Sequence, residues 1–218
     1  MKLIVLGASG RCGSLVVRFA RDRGFDEVTA VVRPESSYVA PAEVTVKQGQ
    51  LTDPEFVQSI LTGHRVIISC IGLRRAGLSP WAKLLSPPDL VEHVMGHVIK
   101  GVFNPGETRL LWLSAGGVGS SRIQTSWMVR KMIRAGSVGV AYRDLEEAER
   151  IMKLAEIDSL AVRPVTLVPG PPTGKAGPVA RYGMLSTIHR SDVAHWMLDV
   201  VEGRQSYVEK NVLLGRAL

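Results

Sequence analysis

The stretch "LIVLGASGRCGSLV", residues 3–16, constrains this chain more than any other. An apolar run leads straight into Gly7, Gly10 and Gly13, each separated from the next by two residues, and then into a second apolar stretch. A strand that turns sharply into a helix has this form. Gly7 permits the tight turn, Gly10 lets backbone approach a bound diphosphate, and Gly13 lets the helix pack close to the strand. Unpaired N–H groups at the helix start then face the anion, aided by the helix dipole. An ordinary tight βα turn uses the same glycines. The preceding buried strand and the following helix select the dinucleotide reading, so the whole loop, Gly7, Ala8, Ser9, Gly10, Arg11, Cys12 and Gly13, is expected to bind cofactor. The apolar start imitates a secretion signal, but its core is too short and is interrupted at Arg11 and Gly13.

The rest of the chain repeats the strand–helix theme. Residues 2–7, 27–33, 43–49, 65–72, 109–115 and 159–164 read as strands, several of them apolar on consecutive residues, as expected where both faces are covered. Helices are expected over residues 11–23, closed by Gly24, then from Asp53-Pro54, and over 88–102, 142–156 and 191–202, the last opened by Ser191-Asp192. Such alternation implies right-handed βαβ units around a parallel sheet. Two stretches break the rhythm: residues 116–139, around a short helix near 127–134, and residues 165–187, which contain "VPGPPTGKAGP". Both follow strands, which puts them at the carboxyl edge of the sheet as walls of a substrate pocket.

The chain has 218 residues, enough for one substantial domain and short for two, so a single domain over residues 1–218 is expected. With 45% hydrophobic and 22% charged residues, wholesale disorder is excluded. The net charge of +7 suits an anionic partner. No long basic run interleaved with aromatics supports nucleic acid, and no apolar run approaches the roughly 20 residues that cross a bilayer. Cys12 and Cys70 are the only cysteines and form neither a metal-ligand pattern nor a disulfide framework, which fits a cytoplasmic protein. His93 and His97, one helical turn apart, lack a third ligand of suitable spacing, so no metal is expected.

Cofactor choice rests on the end of the second strand. An NAD site holds the adenosine ribose there with an acid, and an NADP site uses arginine. In "AVVRPESS" the position is Arg33, and Arg11 can supply a second cation, so NADP(H) is expected over NAD(H), with Glu35 the residue that keeps NAD open.

The motifs "GASGRCG", "VVRP", "GQLTD", "ISCIG", "LSAGG" and "AVRP" follow one another in the order seen in atypical short-chain dehydrogenase/reductases. The chain resembles most their NAD(P)-binding, NmrA-like group, which includes flavin reductase/biliverdin reductase B. The resemblance implies an α/β fold, a Rossmann-type doubly wound parallel sheet of order 3-2-1-4-5-6 with helices on both faces. It further implies that Gln50 and Leu51 flank the adenine, that Cys70, Ile71 and Gly72 line the ribose and diphosphate, and that Arg163, Pro164 and Val165 lie near the nicotinamide.

Ser114 ends the fifth strand and matches the family serine. It reads equally as a catalytic hydroxyl and as one that satisfies a strand end. Tyr142 stands near the position of the family's Tyr-x-x-x-Lys phenol, but the residue four further on is Glu146, which would raise the phenol's pKa. The usual carbonyl-reducing machinery is therefore incomplete. Hydride transfer to a flavin or quinone needs mainly two stacked rings in a dry pocket, to which Trp127, Met128, Arg181 and Tyr182 can contribute. Two functions follow: an NADPH-dependent oxidoreductase acting on a small conjugated acceptor, or a non-catalytic NADP(H)-binding redox sensor. Either is expected as a monomer or homodimer without nucleic acid or membrane. The run "DLEEAER", residues 144–150, reads as a solvated helix face, and "MVRKMIR", residues 128–134, as a short basic amphipathic segment at the pocket edge.

Overall fold

Consecutive apolar residues in the strands mean that both faces of the sheet are covered, and a computed structural model shows what covers them. It describes every residue except Leu78, Pro80, Val208 and Leu218. The strands are β1 (Lys2–Leu6), β2 (Glu27–Val32), β3 (Val44–Gln48), β4 (Val66–Ser69), β5 (Arg109–Leu113), β6 (Asp158–Pro164), β7 (Thr166–Val168), β8 (Ala176–Pro178), β9 (Thr187–His189) and β10 (Asn211–Arg216). The helices are α1 (Gly13–Asp22), α2 (Pro54–Leu61), α3 (Leu90–Gly101), α4 (Trp127–Ile133), α5 (Gly136–Leu154) and α6 (Arg190–Val201).

Along β1 the side chains alternate between two cores. Leu3 and Val5 join Val16, Val17 and Phe19 of α1 and Trp196, Met197 and Val200 of α6. Ile4 and Leu6 join Val57 of α2, Val94 and Val98 of α3, and Ala148 and Met152 of α5. Each fully buried aliphatic side chain contributes about 1.5–3 kcal/mol. β1 is thus the central strand of a doubly wound sheet.

The order β3-β2-β1-β4-β5-β6 agrees with the expected 3-2-1-4-5-6, and every neighbouring pair within it is parallel. The sheet then continues beyond the expected edge, with β10 parallel to β6 and β8 antiparallel to β10. β7 and β9 form a separate two-stranded parallel pair within and just after the 165–187 segment.

Local signals set most boundaries. Gly24 adopts φ +76 just after α1, a conformation that costs glycine little. The Asp53 carboxylate accepts from the Glu55 N–H at 3.0 Å to open α2. Two boundaries depart from expectation. α5 begins at Gly136 rather than near Tyr142, because Gly139 lies against the end of α4, where a Cβ would stand 2.7 Å from the Arg134 carbonyl oxygen. α6 begins at Arg190, and Ser191 and Asp192 do not cap it. Ser191 Oγ donates to the Gly170 carbonyl at 2.7 Å, while the Asp192 carboxylate accepts from the N–H groups of Thr173 and Gly174 at 2.6 and 3.1 Å. These two side chains fasten the 170–174 turn to the body of the fold.

The "DLEEAER" run is not a uniformly solvated face. Asp144 is buried and accepts from the N–H groups of Val91 and Glu92 at 3.0 and 2.9 Å, so α5 supplies the cap that α3 lacks from its own Asp89. Burial raises the Asp144 carboxyl above its ordinary range, against the lowering effect of those two bonds.

Candidate functional site

The parallel strands deliver their carboxyl ends to one edge, and the residues expected to bind cofactor follow those ends. The turn after β1 is tight. Gly7 adopts φ +75, and a Cβ there would lie 3.2 Å from the backbone of Cys70 after β4. A Cβ on Gly13 would stand 2.3 Å from the Gly7 carbonyl oxygen, so only glycine lets α1 approach the turn this closely. The Gly10 N–H donates to Gly7 and the Ser14 N–H to Gly10, at 3.0 and 2.9 Å. The N–H groups of Arg11, Cys12 and Gly13 take no backbone acceptor among the described residues. Donors left over at the mouth of a helix form a cradle for an anion, and a dinucleotide diphosphate fits it.

Cations surround this cradle. Arg11 is exposed within the turn, and Arg190 reaches it from the start of α6, its Nη2 donating to the Leu167 carbonyl at 3.0 Å. Burial, then the neighbouring Arg11, holds the Arg190 guanidinium below its ordinary pKa. Burial also pushes the Cys12 thiol up, although Arg190 and Arg11 pull it the other way. Arg190 was invisible in the sequence reading because nothing local ties it to a loop so distant in the chain. Cys70 has its thiol raised well above the ordinary value, by burial and then by Cys12.

Arg33 follows β2 and pairs with Glu35 at 2.7 Å, both side chains exposed. Gln50 and Leu51 follow β3. The Gln50 carbonyl accepts from the Asp53 N–H at 3.0 Å, and the Leu51 carbonyl from His97 Nδ1 at 3.2 Å. Ile71 packs against the core beneath α2 and α3, and Gly72 is exposed with open space around it. Ser9 and Gly10 are exposed, while Ala8 is buried. His93 Nδ1 donates to the Asp89 carbonyl at 2.9 Å.

Ser114 and Arg163 meet below this edge. Ser114 Oγ donates to Glu149 Oε1 at 2.6 Å, and Arg163 Nε donates to the same oxygen at 2.8 Å. Arg163 Nη2 bonds the other carboxylate oxygen, and Nη1 donates to Ser120 Oγ and Asn211 Oδ1 at 2.9 and 2.8 Å. The Arg163 guanidinium thus has its donors occupied inside the protein. Glu149 was missed by the sequence reading, which placed it on a solvated face. The cluster forms one wall of a cavity of about 550 Å³ between α5, β6 and β10. Pro164 and Val165 sit at the end of β6: the Pro164 carbonyl accepts from the Gly116 N–H at 2.9 Å, and buried Val165 donates its N–H to Leu214 at 2.9 Å.

Tyr142 stands above Ser114 on α5, its hydroxyl donating to the Gly116 carbonyl at 3.1 Å. Its phenol is pushed above the ordinary value by burial and then by Tyr182. Glu146 was expected to raise it, but that carboxylate is occupied by Arg122, whose Nη2 lies 2.8 Å from each oxygen. A phenol this reluctant to ionise, with no lysine beside it, is poorly matched to general acid catalysis. Tyr182 is buried against Thr166, 2.9 Å between hydroxyls, whereas Trp127 and Met128 are largely exposed on α4. Tyr142 also borders a second cavity of about 390 Å³, lined by Gly117, Val118, Ile133 and four arginines.

The same fold recurs in known structures. A candidate epimerase from Bacteroides thetaiotaomicron matches at 26% identity over 100% of this chain and 97% of that one, with a TM-score of 0.75. The anaerobilin reductase ChuY from Escherichia coli matches at 21% identity over 98% and 96%, with a TM-score of 0.71. A short-chain dehydrogenase/reductase from Veillonella parvula, solved in complex with NADP, matches at 13% identity over 99% and 94%, with a TM-score of 0.72. No curated protein sequence matches the chain. The model of the NAD(P)H-binding family matches residues 7–204, from the first glycine of the turn to just past α6, and the chain belongs to that family.

Proposed function

We propose that the protein is an NADPH-dependent oxidoreductase of the NmrA-like type that passes hydride to a small conjugated acceptor such as a flavin or quinone. The observation that carries this reading is the cradle after β1, where three unpaired N–H groups and two cations, Arg11 and Arg190, converge. The reductase activity of the ChuY protein and the NADP bound to the Veillonella protein support it on folds of the same kind. Family membership alone leaves NAD and NADP open. Arg33 and Arg11 favour NADP, since a guanidinium pairs with a 2′-phosphate and the end of β2 lacks an acid at that position.

When bound, a reduced nicotinamide supplies the hydride. The protein's share is binding, orientation and exclusion of water. Gly7, Gly10 and Gly13 bring backbone donors to the diphosphate. Gln50 and Leu51 flank the adenine, and Cys70, Ile71 and Gly72 line the ribose side. Pro164 and Val165, packed against the segment that begins at Gly116, form a dry floor for the reacting rings. Protonation of a reduced flavin or quinone needs no dedicated phenol, which agrees with the internal engagement of Tyr142. The working unit is a monomer or homodimer in the cytoplasm. Among the described residues no helix is long and apolar enough to cross a membrane.

One observation favours a second reading, a non-catalytic NADP(H) sensor: the hydroxyls of Ser114 and Tyr142 both donate to internal acceptors, Glu149 and the Gly116 carbonyl. NADPH oxidation followed by absorbance, with FMN, riboflavin, quinones and aldehydes and with NADH in parallel, separates the two. Turnover with flavin or quinone, faster with NADPH, is the expected result. Binding of NADPH without turnover of any acceptor moves the assignment to the sensor, and turnover of aldehydes alone restores Tyr142 to a catalytic role.

A further inference from the structure

The cavity of about 390 Å³ beside Tyr142 has an unusual charge content. Arg122, Arg130, Arg134 and Arg143 line it against a single acid, Glu146. Glu146 is already spent on Arg122, which holds both of its oxygens. Among the described residues the guanidiniums of Arg130, Arg134 and Arg143 have no carboxylate partner. Two of the three come from one turn at the end of α4, and the third from α5, so separate elements aim like charges at one space. Such crowding costs free energy that an incoming anion recovers. The floor is apolar, made by Val118 and Ile133 with the ring of Tyr142. Buried Gly117, three residues past Ser114, lines the pocket, and Tyr142 links it to Gly116, which follows β5.

We propose that this pocket holds the anionic arm of the acceptor, a phosphate ester or a pair of carboxylates, while the flat part of the same molecule lies toward the end of β5. The proposal rests on the oxidoreductase reading only for the word acceptor; the arginine pocket itself is tested by binding. Guanidinium forks suit both oxyanions, which they grip through paired N–H donors. Arg130 is half-buried and its two partners are exposed, so the ligand enters from solvent with little rearrangement.

FMN and riboflavin make the test, because they share one ring system and differ by a phosphate. Flavin fluorescence is titrated with wild-type protein and with Arg130→Gln and Arg143→Gln, all with saturating NADP⁺ so that the glycine cradle is not open to the flavin phosphate. The expected result is tighter binding of FMN than of riboflavin, with that ratio falling by roughly three- to tenfold per arginine removed. The ratio also shrinks as salt rises from about 0.01 to 1 M, where charges at this exposure are screened. Equal affinities in the wild type, a ratio indifferent to both variants, or binding of neither flavin overturns the proposal. A parallel test with a flat dicarboxylate quinone and its dimethyl ester decides between phosphate and carboxylate as the preferred arm. A separate NADP⁺ titration reads the cofactor assignment alone, so a protein that binds NADP⁺ but ignores the flavin phosphate refutes the pocket and spares the fold's assigned cofactor. If NADP⁺ itself fails to bind, Arg11→Gln serves as the control for the open cradle: a ratio that falls in the Arg130 and Arg143 variants but not in Arg11→Gln supports the pocket, and the reverse overturns it.

Discussion

Replacing Glu149 by glutamine tests whether the Ser114–Glu149–Arg163 cluster is structural. The side chains of Arg163 and Glu149 are only 4% and 12% exposed, so the pair is held largely away from water. Glutamine keeps the shape and one acceptor oxygen, which at the Oε1 position accepts from both Arg163 Nε and Ser114 Oγ. Its amide nitrogen, however, then confronts the second guanidinium donor, donor against donor, while the buried cation keeps only the neutral acceptors Ser120 and Asn211. Removing one member of a buried ion pair costs about 3–5 kcal/mol, and the retained hydrogen bond places Glu149→Gln near the lower end, about 3 kcal/mol. For a chain of this size that corresponds to a fall of roughly 6–12 °C in Tm. Urea unfolding followed by circular dichroism measures it directly. The double variant Glu149→Leu with Arg163→Met removes both charges together, and is expected to recover most of the loss because no unpaired ion remains. A loss below about 1 kcal/mol for Glu149→Gln would refute the reasoning, since a guanidinium that tolerates a neutral partner is hydrated rather than buried.

Other expectations follow from the same geometry. Gly13→Ala places a methyl group 2.3 Å from the Gly7 carbonyl oxygen, so the turn must open; a cost of about 1–3 kcal/mol in urea and at least a tenfold loss of NADP⁺ affinity by fluorescence titration are expected. Arg33→Ala should weaken NADPH far more than NADH, narrowing the ratio of their kcat/KM values about tenfold or more, and equal effects on the two cofactors would remove Arg33 from the 2′-phosphate site. His195 accepts from Arg23 at 2.8 Å through Nδ1 and stacks on Phe19, and its pKa is lowered by burial and then by Arg23. The folded protein therefore resists protonation that the unfolded chain accepts below about pH 6.5, so stability falls as pH drops through that range. His64, lowered by burial, acts in the same direction, while exposed His93 is raised and opposes weakly. His195→Gln should flatten the decline measured by urea unfolding between pH 7 and 5, and an unchanged slope would reject it as the responsible group.

Most of the strands from β1 to β6 were legible because burial on both faces writes a continuous apolar run, a signal that needs no knowledge of partners. The edge strand β3, largely exposed, was legible instead from its β-branched alternation, "VTV". β10 carries the same kind of run, "NVLLGR", but it follows the charged pair Glu209-Lys210, and its pairing with β6 and β8 is what makes it a strand. The early start of α5 was hidden by Gly136 and Gly139, which locally read as breakers and in the fold serve the close approach to α4. Asp144 was more readable than the reading allowed. It lies one and two helical turns before Ala148 and Met152, the buried stripe of α5, and an acid on such a stripe demands a partner. That partner, the open end of α3, is more than fifty residues away in sequence.

The chemistry at the carboxyl edge was legible only where it is local. The glycine turn declares itself within seven residues, and Arg33, whose place at a 2′-phosphate is part of the proposal, within one strand. Arg190 joins the cradle, and Arg143 the second pocket, solely through tertiary packing. Charge balance distinguishes the two kinds of arginine in this molecule. Arg163 is enclosed and therefore carries its counter-ion with it, in Glu149, as burial requires. Arg11, Arg134 and Arg143 are exposed and Arg130 is half-buried, and none of the four has a carboxylate partner among the described residues. Part of the formal excess of +7 thus lies at the edge where the strands end, where the proposed cofactor and acceptor would bring the missing negative charge. Under the proposed function these four are the side chains left to pair with the diphosphate and with the anionic arm of the acceptor, whereas Arg163, already paired, is held to a structural role.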